Sequence, residues 1–193
     1  MKHAAIILVA MAVSLTACAK TITQMAPVAR GDVKAEATTQ RELVLVELAR
    51  AQERLDNIAH SLLAAAAPLC TGKTGWRLGF YSKSAQEYGQ TWAPRAVAAL
   101  QLSDTMTITH IVTATPAARA GLQKGDRVLS IGSSRIPVGR EGSEALRKAT
   151  AAVSDQPVEV SVQRADGTHN ITVQPEKICD VGATVIIEGD INA

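Results

Sequence analysis

The chain opens on an apolar run and then changes character twice. Ala4 to Val13 is apolar and uncharged, too short for a permanent bilayer-spanning helix, which needs about 20 residues. Residues 19–38 mix polar positions with proline and glycine and show no period, which reads as a flexible tether. From Thr39 to Ala67 apolar positions return at helical spacing. Leu48, Leu55 and Leu62 recur every seventh residue, with Leu45, Ile58 and Ala59 beside them. Gln40, Arg41, Glu42, Glu47, Arg50, Glu53, Arg54 and Asp56 supply a polar face. This pattern predicts one long amphipathic helix stopped by Pro68. Gln52 interrupts the stripe and disfavours a long self-associating zipper, so the helix packs on its own domain or on a partner.

Beyond Leu69 the period shortens to that of strands. Trp76–Ser82, Met106–Val112 and Arg127–Ile131 are predicted strands. Pro157–Arg164 and His169–Gln174 form a predicted hairpin, with Val158, Val160 and Val162 alternating on one arm, Ile171 and Val173 on the other, and Asp166-Gly167 at the turn. Two short helices interrupt them. Pro116–Ala120 has Thr115 as N-cap, Pro116 at the first helical position and Gly121 at the stop. Ser143–Val153 places Leu146, Ala149, Ala152 and Val153 on one side. The mixture implies an α+β domain.

Composition narrows the function classes. Lys plus Arg number 20 and Asp plus Glu 18, with no basic block, so nucleic-acid binding has no electrostatic basis. Aromatics are 3%, and the core must be built from small aliphatic side chains. His3, His60, His110 and His169 are scattered, and there is no H-E-x-x-H, C-x-x-C or G-x-S-x-G. No catalytic residue, metal ligand or cofactor is therefore assigned. His110 reads as a core-edge histidine of a strand.

Leu15-Thr16-Ala17-Cys18 follows the apolar run. It resembles the lipobox of bacterial lipoproteins. The resemblance implies a signal peptide over residues 1–17, lipidation at Cys18 as the first mature residue, and a tether over residues 18–38. The alternatives are an ordinary signal peptide with a chance cysteine, or an N-terminal anchor helix. Two or more acyl chains give stable anchoring. Ala19 rather than Asp after the cysteine favours, by Gram-negative sorting rules, the outer membrane facing the periplasm; a Gram-positive source would place the chain on the cell surface. Cys70 and Cys179 remain as an even pair bracketing one domain in an oxidising compartment. They are expected as a disulfide, worth about 4–5 kcal/mol in the chain-entropy model, with buried or reactive thiols as the alternative.

Thr115-Pro116-Ala117-Ala118-Arg119-Ala120-Gly121-Leu122 followed by Gly125-Asp126-Arg127-Val128-Leu129-Ser130-Ile131-Gly132 resembles PDZ domains of the bacterial, HtrA-like type, over about residues 70–179. The resemblance implies a small β-barrel or sandwich with two short helices, preceded here by the long amphipathic helix. It also implies a non-catalytic module that binds C-terminal or unfolded polypeptide segments by strand addition. Leu78-Gly79-Phe80 matches the loop whose amides hold the peptide carboxylate, with Leu146 and Ala149 on the facing helix. A side chain at Gly79 is expected to spoil the loop without unfolding the distant hairpin. Plain strand core is the other reading of Leu78 and Phe80. Arg77 either steers the carboxylate or is solvated. Lys83–Ser103 is longer than a usual PDZ connection and long enough to cover the groove.

The helix ending in Ala67-Pro68-Leu69-Cys70, with Ile178-Cys179-Asp180, Val185 and Asp190-Ile191-Asn192-Ala193, resembles the N-terminal part of PDZ-bearing periplasmic zinc metallopeptidase lipoproteins. Residues 180–193 would then correspond to the start of a peptidase domain whose catalytic part is not present. This leaves two readings. One is a membrane-anchored envelope module that binds peptides. The other is the regulatory part of a zinc metallopeptidase, truncated or encoded separately, with a peptidase as partner.

Overall fold

The computed structural model describes residues 29–72, 74–181 and 184–185. Cys18 and most of the segment 180–193 lie outside them. Helix α1 spans Arg30–Ala66, so residues 30–38, expected as tether, are helical. Lys34-Ala35-Glu36-Ala37 are good helix formers without an apolar stripe, and a search for hydrophobic period passes over such a stretch. A 3-10 turn, Ala67–Leu69, carries Pro68 and ends the helix.

The extended run predicted at Trp76–Ser82 is two strands, β1 (Thr74–Arg77) and β2 (Phe80–Lys83). The break falls at Gly79, whose φ is 88°, outside the extended region. β1 pairs antiparallel with β8 (Glu176–Cys179) in a separate two-stranded sheet. β2 pairs with β3 (Thr107–Ile111), and the main sheet runs β2-β3-β4-β6-β7, with β4 at Arg127–Ile131, β6 at Val158–Arg164 and β7 at Gly167–Val173. A short β5, Ser134–Arg135, joins β4. The sheet is open, with β2 and β7 at its edges, so the fold mixes helices with antiparallel sheet and is not a closed barrel.

Four helices are present among the described residues. α3 (Pro116–Ala120) has the predicted ends: the Thr115 hydroxyl accepts from Ala118 N, and Gly121 is left-handed at φ 86°. α4 spans Arg140–Ala151. The unanticipated helix is α2 (Gly89–Leu100), inside the long connection after β2. A capping box starts the 3-10 turn ahead of it, with Ser84 N donating to Glu87 Oε1 at 2.8 Å. This segment forms a satellite core from Leu45 of α1 with Ala85, Ala96 and Leu102, flanked by Tyr88 and Trp92.

The main core lies between the sheet, α3 and α4. It holds Met106, Ile108, Val128, Val160, Val162 and Val173 together with Leu78, Leu122 and Leu146. Val160 and Val162 face inward on β6 while Glu159 lies outside, which is the alternation read from the sequence. Each such valine stabilises the fold by about 1.5–3 kcal/mol relative to exposure.

On α1 the buried face differs from the predicted stripe. Leu45, expected on the apolar side, is buried, but Leu62 is 65% and Ile58 62% exposed, and Asp56, expected on the polar face, is buried together with His60. Polar contacts select this face. Thr113 N and its hydroxyl donate to Asn57 Oδ1 at 3.0 and 3.2 Å, and His60 Nε2 lies 2.6 Å from Glu176 Oε1 on β8.

Cys70 and Cys179 are in the thiol form. They are nonetheless neighbours: the hydrogen bond with Cys70, followed by burial, pushes the Cys179 thiol up to about 11.

Candidate peptide-binding cleft

The cleft is built at the free edge of β2. Two carbonyls of the Leu78-Gly79 turn point into the domain: Leu78 O accepts from Ala117 N at 2.8 Å and Gly79 O from Val112 N at 3.0 Å. A trans peptide unit carries its N–H opposite its C=O. The amides of Gly79 and Phe80, which share those units, therefore point away from α3 and from β3, toward the outer edge of β2. Buried Thr115 holds the turn in place. Its hydroxyl donates to Val112 O at 2.7 Å and lies 3.2 Å from Gly79 O.

Below this turn opens a cleft of about 390 Å³. Leu78, Gly79, Phe80, Tyr81 and Ser82 form one side, Leu146 and Thr150 of α4 the facing side, and Trp76 and Ile178 of the small sheet the end. Of the residues singled out from sequence, Leu78, Gly79, Phe80 and Leu146 line it. Ala149 does not; it is 5% exposed within the main core. Thr150 takes its place on the cleft, because one step along a helix turns the side chain by about 100°. The long connection 84–103 contributes no lining residue and leaves the cleft uncovered. Arg77 lines the cleft and, although partly exposed, is paired with Asp180 through Nη2 and Oδ1.

Sequence reasoning missed a third wall. Asp56, Ala59, His60 and Leu63 of α1 line the same cleft. Asp56 is 2% exposed. Burial raises its carboxyl above the usual range, opposed by the hydrogen bond that Gln52 Nε2 donates to it at 2.7 Å. Beneath α1, on β3, burial holds the His110 imidazole below its ordinary value against the opposing pull of Glu53 and Asp56. The only sequence signal for this wall was negative: Gln52, Asp56 and His60 lie at four-residue spacing on a face with too few apolar residues to be read as buried.

Chemically, the cleft joins apolar walls, outward backbone donors and an unpaired strand edge. It has no nucleophile beside a base, and among the described residues no group of three His, Cys, Asp or Glu is placed to hold a metal ion. A second hollow, about 430 Å³, lies along α1 between Gln40 and Arg54; one helix alone lines it, and no backbone donors converge there.

Residues 87–174 match the family model of the PDZ domain. The match takes in α3, α4 and the β6–β7 hairpin and begins after the Leu78-Gly79-Phe80 turn. None of the curated proteins matches the chain in sequence. Among solved structures it is similar to the HtrA3 PDZ domain bound to a phage-derived ligand, FGRWV, at 20% identity over 55% of this chain and 89% of that one, with a TM-score of 0.41. It is also similar to the HtrA-type protease AlgW with a decapeptide, at 22% identity over 54% of this chain and 30% of that one, TM-score 0.42. A PDZ domain protein from Parabacteroides distasonis is 16% identical over 56% of this chain and 22% of that one, TM-score 0.39.

Proposed function

We propose that this PDZ domain is a non-catalytic peptide-binding module that captures free, apolar polypeptide C-termini, and that a lipid on Cys18 holds it at the cell envelope. The observation that carries the binding reading is the pair of amides, Gly79 and Phe80, turned outward at an unpaired strand edge beside the Leu78–Leu146 cleft. A peptide strand lying along β2 would gain backbone hydrogen bonds, its terminal carboxylate would meet the amides, and its terminal side chain would enter the apolar cleft. No residue geometry favours the peptidase-associated reading over this one.

A hydrogen bond to a charged group is worth about 1.5–3 kcal/mol. Peptides ending in valine with a free carboxylate should therefore bind the full chain at least about tenfold more tightly than their C-terminal amides, by titration calorimetry. Equal affinity for acid and amide would remove the carboxylate from the reading, and no binding at millimolar peptide would remove the groove.

Anchoring and cross-linking rest on sequence and on the contact between the two thiols. Mass mapping of mature protein from a membrane fraction should find an acylated Cys18 at the N-terminus and, under non-reducing conditions, a Cys70–Cys179 peptide pair. An intact N-terminus at Met1 would end the lipoprotein reading. Two alkylatable thiols in the exported protein would end the bridge.

A further inference from the structure

The charged groups around the cleft are satisfied within the protein, with one exception. Arg77 is paired with Asp180 and His60 with Glu176. Asp56, the most buried of them, accepts a hydrogen bond from the neutral Gln52 amide. Among the described residues no lysine or arginine stands within ion-pairing distance of it. His110 and Lys83 favour its charged form from farther off, and Glu53 opposes it. A carboxylate has room for about four acceptor contacts, and a buried one without a cation is costly to keep. On the same cleft, Ser82 Oγ is also buried without a hydrogen-bond partner.

Strand alternation locates what Asp56 would meet. Phe80 packs toward the main core, and Tyr81, the next residue, stacks on His110 on the opposite face, 6.2 Å between ring centroids. α1 covers that second face: Glu53 lies 3.5 Å from His110 Nδ1. Successive side chains of an added strand alternate in the same way. If the terminal side chain enters the Leu78–Leu146 side, the penultimate one falls on the Tyr81 face, beside α1.

We infer that the α1 wall is a specificity site for a cationic side chain, lysine or arginine, at the penultimate position of the bound peptide, with Asp56 as the residue that reads it. The inference rests on the peptide-binding reading and deepens it. The partner class becomes chain ends in which a basic residue precedes an apolar one.

Three peptides with a free carboxylate, Ala-Ala-Ala-Ala-Xaa-Val with Xaa as lysine, glutamine or glutamate, test it against the full chain. The lysine peptide should bind about tenfold more tightly than the glutamate peptide at low salt. Asp56→Asn keeps the shape and the Gln52 contact, and should reduce that ratio to about twofold or less. Asp56→Ser, which removes the carboxylate by a different route, should do the same. A ratio near one in the wild-type chain, or a ratio that survives both substitutions, would overturn the inference while leaving peptide binding intact. Failure of all three peptides to bind would overturn both readings together.

Discussion

Replacing Gly79 with alanine should destabilise the domain by about 2–5 kcal/mol, although only one methyl group is added. Two costs combine. At φ 88° a Cβ meets its own backbone, at about 1–2 kcal/mol. The same Cβ would stand 2.2 Å from Thr115 Cβ and 2.7 Å from its Cγ2, so the cap of α3 must move, an overpacking cost of about 1–3 kcal/mol. The turn cannot simply swing aside, because its carbonyls are bonded to Val112 N and Ala117 N. Sequence reasoning assigned Gly79 to the shape of the loop, with the distant hairpin at Asp166-Gly167 left folded. The packing on Thr115 extends the effect to global stability, so Gly79→Val should be worse still. Urea denaturation of the alanine variant decides the point: a loss below about 0.5 kcal/mol at unchanged slope would show that the turn relaxes and that glycine is not required.

The second large effect lies at the Asp126–Arg164 ion pair. Asp126 is 2% exposed and accepts two bonds from Arg164, at 2.7 Å from Nε and 2.8 Å from Nη2. It also accepts from Gln123 N at 2.9 Å, while Arg164 Nη2 donates to Gly121 O at 2.9 Å. This fork ties the loop before β4 to the end of β6. Arg164→Met leaves a buried carboxylate without its cation and should cost about 3–5 kcal/mol. Adding Asp126→Asn should return a substantial part, because a neutral amide needs no counter-charge there. A single-variant loss below 1 kcal/mol, or a double variant no better than the single, would show that the Gln123 amide alone satisfies Asp126.

What the sequence by itself determined was local. The ends of α3 follow from Thr115, Pro116 and Gly121 without help from the rest of the chain, since a cap acts within one helical turn. The β6–β7 hairpin follows from alternating valines, which have one stable arrangement against one core. The arms pair as expected, with Val160 opposite Ile171, but the turn is Ala165-Asp166, and Gly167, expected within it, opens β7 opposite Arg164. The turn Leu78-Gly79-Phe80 was reached through the family resemblance alone: the strand pattern ran unbroken from Trp76 to Ser82, and the break at Gly79 came only with the structure. α2 was not legible: Gly89–Leu100 includes Pro94, and its burial comes from Leu45, more than forty residues upstream. Nor was the inward face of α1. Leu48, Leu55 and Leu62 form the better apolar stripe, yet Asp56 and His60 are buried along with Leu45, because Asn57 and His60 have hydrogen-bond partners waiting on Thr113 and Glu176. Hydrophobic period measures what a helix would lose in water. It carries no information about which polar partners a distant strand offers, and at the cleft those partners decide which face of the helix turns inward.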